Sequence, residues 1–209
     1  LLLGCIARLK DTEIVHIPKI LYHQYENEKQ AITNQIAAGF TTEVGIRLLN
    51  HYFKQKGGGV TVEPVLLPKS FRVRWPLPLP SPRVSLIIPT KNNFKVLKQC
   101  IRSILNKTDY DNYEILVLDN RSDCSETLGY LDSISEENRV SVHSWDHPFN
   151  YSAINNFGVE KAEGSILAFL NNDVEVINPE WLGEMVSHAC REEIGCVGAK
   201  LYYPNDTVQ

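Results

Sequence analysis

The chain has 209 residues, 43% hydrophobic and 22% charged, with a net charge of −4 from 21 basic and 25 acidic side chains. That is the make-up of a globular protein of one or two domains. It carries no long basic stripe, which argues against nucleic acid as a partner. Five cysteines, an odd number without a C-x-x-C pair, argue against a disulfide framework or zinc ribbon; they read as reduced thiols, several packed in a core. The apolar start, Leu1-Leu2-Leu3-Gly4-Cys5-Ile6-Ala7, is too short to span a bilayer, so no transmembrane segment is expected. The only methionine is Met185, and the chain reads as a piece of a longer protein.

In chain order, residues 13–22 resemble a strand, with Pro18 favouring an edge position. Ile32, Ile36, Phe40, Val44, Leu48 and Tyr52 recur every four residues, as on an amphipathic helix. Gly39 and Thr41-Thr42 interrupt that stretch and predict two helices or a kink, with Thr41 or Thr42 as a cap. Gly57-Gly58-Gly59 terminates it, and short strands are expected over 60–65 and 71–75. Four prolines in Pro76-Leu77-Pro78-Leu79-Pro80-Ser81-Pro82 force extended backbone and read as a semi-rigid linker. The expected division is a connector over 1–80 and a second domain over 81–209.

Beyond the linker the pattern becomes β-α-β-α. Strands are expected over 84–88, 113–118, 140–145, 165–170 and 195–203. The helices between them hold Val96 to Leu105, with Asn93 as cap, then Leu128, Leu131 and Ile134, then 152–162, and a last one opened by Pro179. Such alternation implies a mostly parallel, Rossmann-like α/β sheet flanked by helices.

Three of these strands stop on polar side chains. The first ends on Pro89-Thr90-Lys91-Asn92-Asn93, the second on Asp119-Asn120, and the fourth on Asn171-Asn172-Asp173. Open parallel sheets bind nucleotides at that rim. Asp173, a carboxylate between a strand end and two carboxamides, suits Mg²⁺ or Mn²⁺, which would neutralise a diphosphate. Asp119 suits hydrogen bonds from a base or ribose, and Thr90 and Asn92 are placed to reach the same cleft. Each also reads as ordinary turn or cap chemistry. Trp145, Phe149 and Tyr151 read as core residues rather than sugar platforms. No H-E-x-x-H, G-x-S-x-G, phosphate-loop or G-x-G-x-x-G signature occurs.

These segments resemble glycosyltransferase family 2. Residues 82–90 resemble its opening strand, and Tyr113 to Ser122 its second strand with the nucleotide-binding Asp119. Asn156-Phe157-Gly158, Ala162 and Gly164 match its N-x-G-x-x-x-A-x-G helix, and Leu170-Asn171-Asn172-Asp173 sits where its D-x-D metal motif falls. The resemblance covers 82–209 and implies the nucleotide-sugar-binding half of a GT-A fold. It implies an inverting, metal-dependent transfer from a UDP- or dTDP-linked sugar to a glycan or lipid-linked acceptor. Pro89, Thr90, Asn92, Asp119, Asn156, Asn171 and Asn172 would bind the nucleotide and Asp173 the metal. Asn171 replaces the family's first Asp and loses its charge. The N-N-D form and Phe149-Asn150-Tyr151-Ser152 resemble members that build bacterial surface polysaccharides, rhamnosyltransferase-like ones included.

The family's catalytic base is expected beyond Gln209, so no catalytic residue is expected within these residues, and this piece is expected to bind nucleotide without turning over. Residues 17–23 resemble the tail of an upstream transferase domain in tandem enzymes. The implied location is the cytoplasm, peripheral at the inner face of the plasma membrane. A non-catalytic sugar-nucleotide or carbohydrate-binding module is the alternative reading. A phosphoryl-transfer scaffold fits less well, because Lys200 falls inside the last expected strand.

Overall fold

The computed structural model describes residues 9–15, 17–20, 28–65 and 70–209, without the side chains of 11 and 28–41. The chain divides into two units, Leu1–Pro76 and Leu77–Gln209, with the boundary in the proline-rich run.

In the first unit, helix α1 (Glu28–Lys56) precedes an antiparallel hairpin of β1 (Thr61–Pro64) and β2 (Phe71–Arg74). The two helices expected here are one. A glycine costs only about 1 kcal/mol in a helix, so Gly39 and Gly45 do not break it, and tertiary contacts hold its later turns: Gly45 lies against the Phe71 ring, and Asn50 Oδ1 accepts the Val62 N–H at 3.1 Å. Gly57, Gly58 and Gly59 end it with positive φ at all three positions. The strand expected over 13–22 is absent among the described residues. Asp11–Glu13 is a 3₁₀ turn, and Ile14, Val15, Ile17 and Ile20 are exposed. No described strand pairs with them, and an unpaired strand leaves its backbone groups to water. His16, Leu21, Tyr22 and His23 lie outside the described residues.

The second unit runs β3 (Val84–Thr90), α2 (Phe94–Lys107), β4 (Tyr113–Asp119), α3 (Ser125–Ile134), β5 (Val140–Ser144), α4 (Tyr151–Lys161), β6 (Ile166–Phe169) and α5 (Trp181–Ala189). The four strands are parallel in the order β5-β4-β3-β6, so all their C-terminal ends lie on one edge. This is the expected parallel α/β sheet. The fifth expected strand does not form: residues 195–203 are irregular apart from one bridge, Tyr202 to Val208. Leu201, Tyr202 and Tyr203 are exposed, so nothing among the described residues buries that run's apolar side chains.

β3 and β4 read as unbroken apolar runs because both their faces are covered. On one face Val84, Leu86, Ile88, Ile115 and Val117 pack with Leu97, Ile101 and Ile104 of α2, Leu131 of α3, and Leu182 and Val186 of α5. On the other face Ile87, Leu116 and Leu118 meet Ile154 of α4, with Phe157 and Trp145 against them. Each such fully buried aliphatic side chain contributes about 1.5–3 kcal/mol. Among the described cysteines only Cys100 is buried, and burial pushes its thiol up to about 12; Cys190 and Cys196 are exposed, against the expectation of several core thiols.

Two glycines set how closely α4 and its exit approach the sheet. A Cβ on Gly158 would stand 2.6 Å from Ile87 Cγ2 and 2.8 Å from Leu118 Cδ1. One on Gly164 would stand 2.6 Å from the Ser85 backbone nitrogen. The same exit is clamped by Glu114. Its carboxylate accepts from Ser85 Oγ (2.5 Å), the Glu163 N–H (2.8 Å) and the Arg83 guanidinium (2.7 Å), while Ser85 Oγ accepts the Gly164 N–H at 2.8 Å. Burial alone would raise the Glu114 pKa, but the bonds from Ser85 and Glu163 and the Arg83 charge outweigh it and hold the carboxyl below its ordinary 4.5.

Two outcomes are expected in urea denaturation of the 209-residue chain. Gly164→Ala should lose about 1–3 kcal/mol because backbone, not a movable side chain, meets the new methyl. Gly129→Ala, within α3 and facing open space, should gain up to about 1 kcal/mol; equal effects at the two sites would contradict this packing. For Glu114 the folded pKa lies below the unfolded one, so its contribution is complete above the unfolded value and fades as pH falls through the folded one. The difference in midpoint between wild type and Glu114→Gln should be steady above about pH 5 and shrink below about pH 4. A difference unchanged at about pH 3 would show that the carboxylate is not clamped in its charged form.

Candidate functional site

β3 leaves the sheet at Thr90 and enters α2 through Lys91, Asn92 and Asn93. Asn92 and Asn93 have φ of 53° and 55°, a left-handed backbone that asparagine tolerates better than most residues. Asn93 holds the N-cap position of α2, but its side chain makes no capping bond. Its carbonyl accepts the Val96 and Leu97 N–H groups at 3.1 Å, and its side chain lines the cleft instead, which corrects the expected cap.

Asn92 turns the other way. Its Oδ1 accepts the Asp123 and Cys124 N–H groups, both at 3.1 Å, and its Nδ2 donates to Asp123 Oδ1 at 3.0 Å. It therefore braces the turn that leads into α3, whose N-cap residue is Cys124. The Asn92 N–H donates to Ser122 Oγ (2.7 Å), and Ser122 Oγ donates to Asp119 Oδ1 (2.5 Å). Asp119, 8% exposed, thus ends β4 with its carboxylate bonded to the turn that follows.

The next residue, Asn120, reaches across to the loop between β5 and α4. Its Nδ2 donates to the carbonyls of Trp145 (3.2 Å) and His147 (2.9 Å). Arg121 adds bonds to the Asp146 side chain (2.6 Å) and carbonyl (2.8 Å). Asn150 closes the loop by capping α4, accepting the Ala153 N–H at 3.0 Å. Trp145 packs inward against Phe157, as expected of a core aromatic. Phe149 and Tyr151 do not: they are 66% and 50% exposed and line the cleft. The tethers on both sides of them hold their rings at its rim rather than in the core.

β6 delivers Asn171, Asn172 and Asp173. Asn172 Nδ2 donates to Thr90 Oγ1 at 2.9 Å. The segment that follows is pinned to α2: Ser103 Oγ accepts the Val176 N–H (3.0 Å), and Glu175 takes bonds from Gln99 (2.6 Å) and Lys107 (2.8 Å). The Lys107 and Gln99 hydrogen bonds hold the Glu175 carboxyl below its usual range, so it stays an ionised structural anchor.

One cleft of about 290 Å³ results at the C-terminal edge of the sheet. Of the residues singled out from sequence, it gathers Pro89, Thr90, Asn171, Asn172 and Asp173. Asn92 and Asp119 stand behind it, bonded to the Ser122–Cys124 turn, although Thr90 and Asn120 beside Asp119 both line it. Asn156 is exposed on α4 and is not in the lining. Lys91, Asn93, Asn120, Phe149 and Tyr151 complete the lining and were not among the expected site residues. The first three were signalled only by their places at strand ends, and Phe149 and Tyr151, expected in the core, by the Phe149-Asn150-Tyr151-Ser152 motif.

The chemistry of this lining is that of a polar ligand site: amides, a hydroxyl, one carboxylate, one ammonium and two aromatic rings. Among the described residues no group of three or more His, Cys, Asp or Glu is placed to hold a metal. A divalent ion still fits Asp173 together with oxygens of Asn171 or Asn172. Mg²⁺ is ordinarily held by one or two carboxylates plus the phosphates of a substrate, and Asp173 is exposed and unpaired among the described residues.

The chain is similar to several known proteins. The profile described as Glycosyl transferase family 2 matches residues 85–209. An uncharacterized protein of Sinorhizobium fredii, y4gI, is 42% identical over 100% of this chain and 23% of its own length. The O-antigen biosynthesis protein RfbC of Myxococcus xanthus is 38% identical over 95% of this chain and 15% of its own. The chain thus spans less than a quarter of either relative. The solved structure of S. aureus TarS has a TM-score of 0.45 at 24% identity, covering 51% of this chain and 32% of that one. The chain belongs to glycosyl transferase family 2, and its second unit carries the Rossmann-like parallel sheet of the GT-A fold.

Proposed function

We propose that the cleft binds the nucleotide-diphosphate sugar donor of an inverting glycosyltransferase that extends a cell-surface polysaccharide or other glycan. The observation that carries this is the convergence of Thr90, Asn172 and Asp173 on one edge of a parallel sheet, beside the β4 terminus that bears Asp119. Strand-end edges of this kind bind nucleotides because the backbone and side chains there leave the sheet with open polar groups. In this reading Asp119 and its turn recognise the base or ribose, with Pro89, Asn92 and Asn156 supporting the nucleotide-binding segments. Asn171 and Asn172 contact the ribose or diphosphate. Asp173 holds Mn²⁺ or Mg²⁺, which when bound would stabilise the departing nucleoside diphosphate. The polysaccharide assignment is supported by the likeness to the Myxococcus xanthus O-antigen protein.

Residues 1–80 are the connector from a preceding region in this reading, and 81–209 the donor-binding half. The acceptor is a glycan or a lipid-linked glycan, met at the inner face of the plasma membrane. No helix among the described residues is long and apolar enough to cross a membrane. The one carboxylate in the lining, Asp173, is given to the metal, so the general base for the acceptor hydroxyl comes from outside this cleft. That same single carboxylate also favours a second reading, a sugar-nucleotide-binding module that performs no transfer.

Titration calorimetry of the 209-residue chain with UDP, dTDP and GDP tests the proposal. At least one diphosphate should bind in Mn²⁺, and chelator or Asp173→Ala should each weaken it by about 10-fold or more, about 1.4 kcal/mol. An affinity indifferent to both changes would remove the metal role of Asp173. Turnover of a labelled donor by this chain alone would overturn the placing of the base outside the cleft.

A further inference from the structure

Several charged side chains of the second unit form ion pairs, none of them with a residue of the cleft lining. Arg83 pairs with Glu114 and Glu163, Lys107 with Glu175, Arg121 with Asp146, and Arg191 with Glu193. Lys91 and Asp173 line the cleft and form no ion pair with each other or with any described residue. Lys91 is exposed and sits directly after Thr90, whose hydroxyl holds Asn172 beside Asp173.

We infer that Lys91 is a countercharge for the donor's diphosphate, acting together with the cation at Asp173. This rests on the nucleotide-sugar reading of the cleft. A sugar diphosphate carries one negative charge on each of its phosphoryl groups. One divalent ion on one carboxylate leaves one of those charges uncompensated, because Asn171 contributes none. The Lys91 ammonium supplies the missing positive charge and brings the loaded cleft to neutrality. A lysine acts here as a mobile point charge whose three donors adapt to phosphate oxygens. Its four-carbon stem lets it reach the ligand from the β3 exit without backbone movement. Lys91 is thus a binding residue for the diphosphate rather than for the base.

Calorimetry of the 209-residue chain with UDP, and ligand-observed NMR with uridine, separate these roles. Lys91→Met keeps the stem and removes the charge. It should weaken UDP about 10-fold with Mn²⁺ present and also with chelator, leave uridine binding unchanged, and flatten the salt dependence of UDP affinity. Lys91→Arg should restore UDP affinity to within about 3-fold of wild type. Lys91 is solvent-exposed, and circular dichroism is expected to show unchanged folding in both variants. UDP affinity within about 2-fold of wild type in Lys91→Met would overturn the inference. So would equal losses for UDP and uridine, which would place the lysine stem against the base. Wild-type chain that binds none of UDP, dTDP and GDP would instead sink the nucleotide-sugar reading itself, and the inference with it.

Discussion

Thr90 couples the two acidic strand ends. It is buried at the last position of β3, in register with Asp119 on β4. Its carbonyl accepts the Asn120 N–H at 2.8 Å, carrying the β3–β4 ladder one residue past the strands. Its hydroxyl accepts from Asn172 at 2.9 Å, which fixes the start of the loop bearing Asp173. A parallel sheet with β3 inside the order β5-β4-β3-β6 is what places one residue between both partners. Were β6 on the far side of β5, the Asp173 loop would emerge three strands from Thr90 instead of beside it, beyond the reach of its hydroxyl. The site is therefore a consequence of strand order before it is a consequence of any catalytic side chain.

Around that junction the loops are held by side-chain amides rather than by salt bridges alone. Asn92 braces the turn before α3, Asn120 ties the β5–α4 loop, and Asn150 caps α4. An amide offers donor and acceptor at once, so a single residue satisfies the open backbone groups that strand ends and helix starts leave. The abundance of asparagine at the strand exits has this structural cause. Asn93, Asn171 and Asn172 line the cleft as well, Asn172 with its amide on Thr90. The segment after Asp173 is anchored separately, to Gln99, Ser103 and Lys107 of α2. A carboxylate between two such anchored stretches would lose little further freedom on taking up a ligand.

The parallel sheet was legible because β3 and β4 are covered on both faces, and unbroken apolar runs have few other uses in a chain of this kind. The rim was legible for the same reason: polar residues stop those runs abruptly. The run at 195–203 carries the same local pattern and makes no ladder. Strand propensity is realised only when a neighbouring edge is available to pair with it. Residues 13–22 fail the same way among the residues described. The sequence motif around Asn156, Gly158 and Gly164 was legible as a pattern but not as geometry. Its two glycines turn out to be contact points where Ile87, Leu118 and the Ser85 backbone leave no room for a methyl group.

Phe149 and Tyr151 show the limit from the other side. Aromatic residues between a strand and a helix read as core because burial is their usual fate. Here the Asn120 and Arg121 tethers on one side and the Asn150 cap on the other hold the loop taut across the strand ends, so the rings stay at the rim. None of those bonds is encoded within the loop's own hydrophobic pattern; the Asn120 and Arg121 bonds depend on strand order bringing β4 and β5 side by side, and only the Asn150 cap is local. Two large rings left half or more exposed forgo part of the roughly 1.5–3 kcal/mol that full burial of such a side chain supplies. A ligand with a flat or apolar face would recover part of it at this cleft. The exposure of these rings is thus of a piece with the unpaired Lys91 and Asp173. In each case an interaction that folding left unsatisfied points into the same 290 Å³ of space.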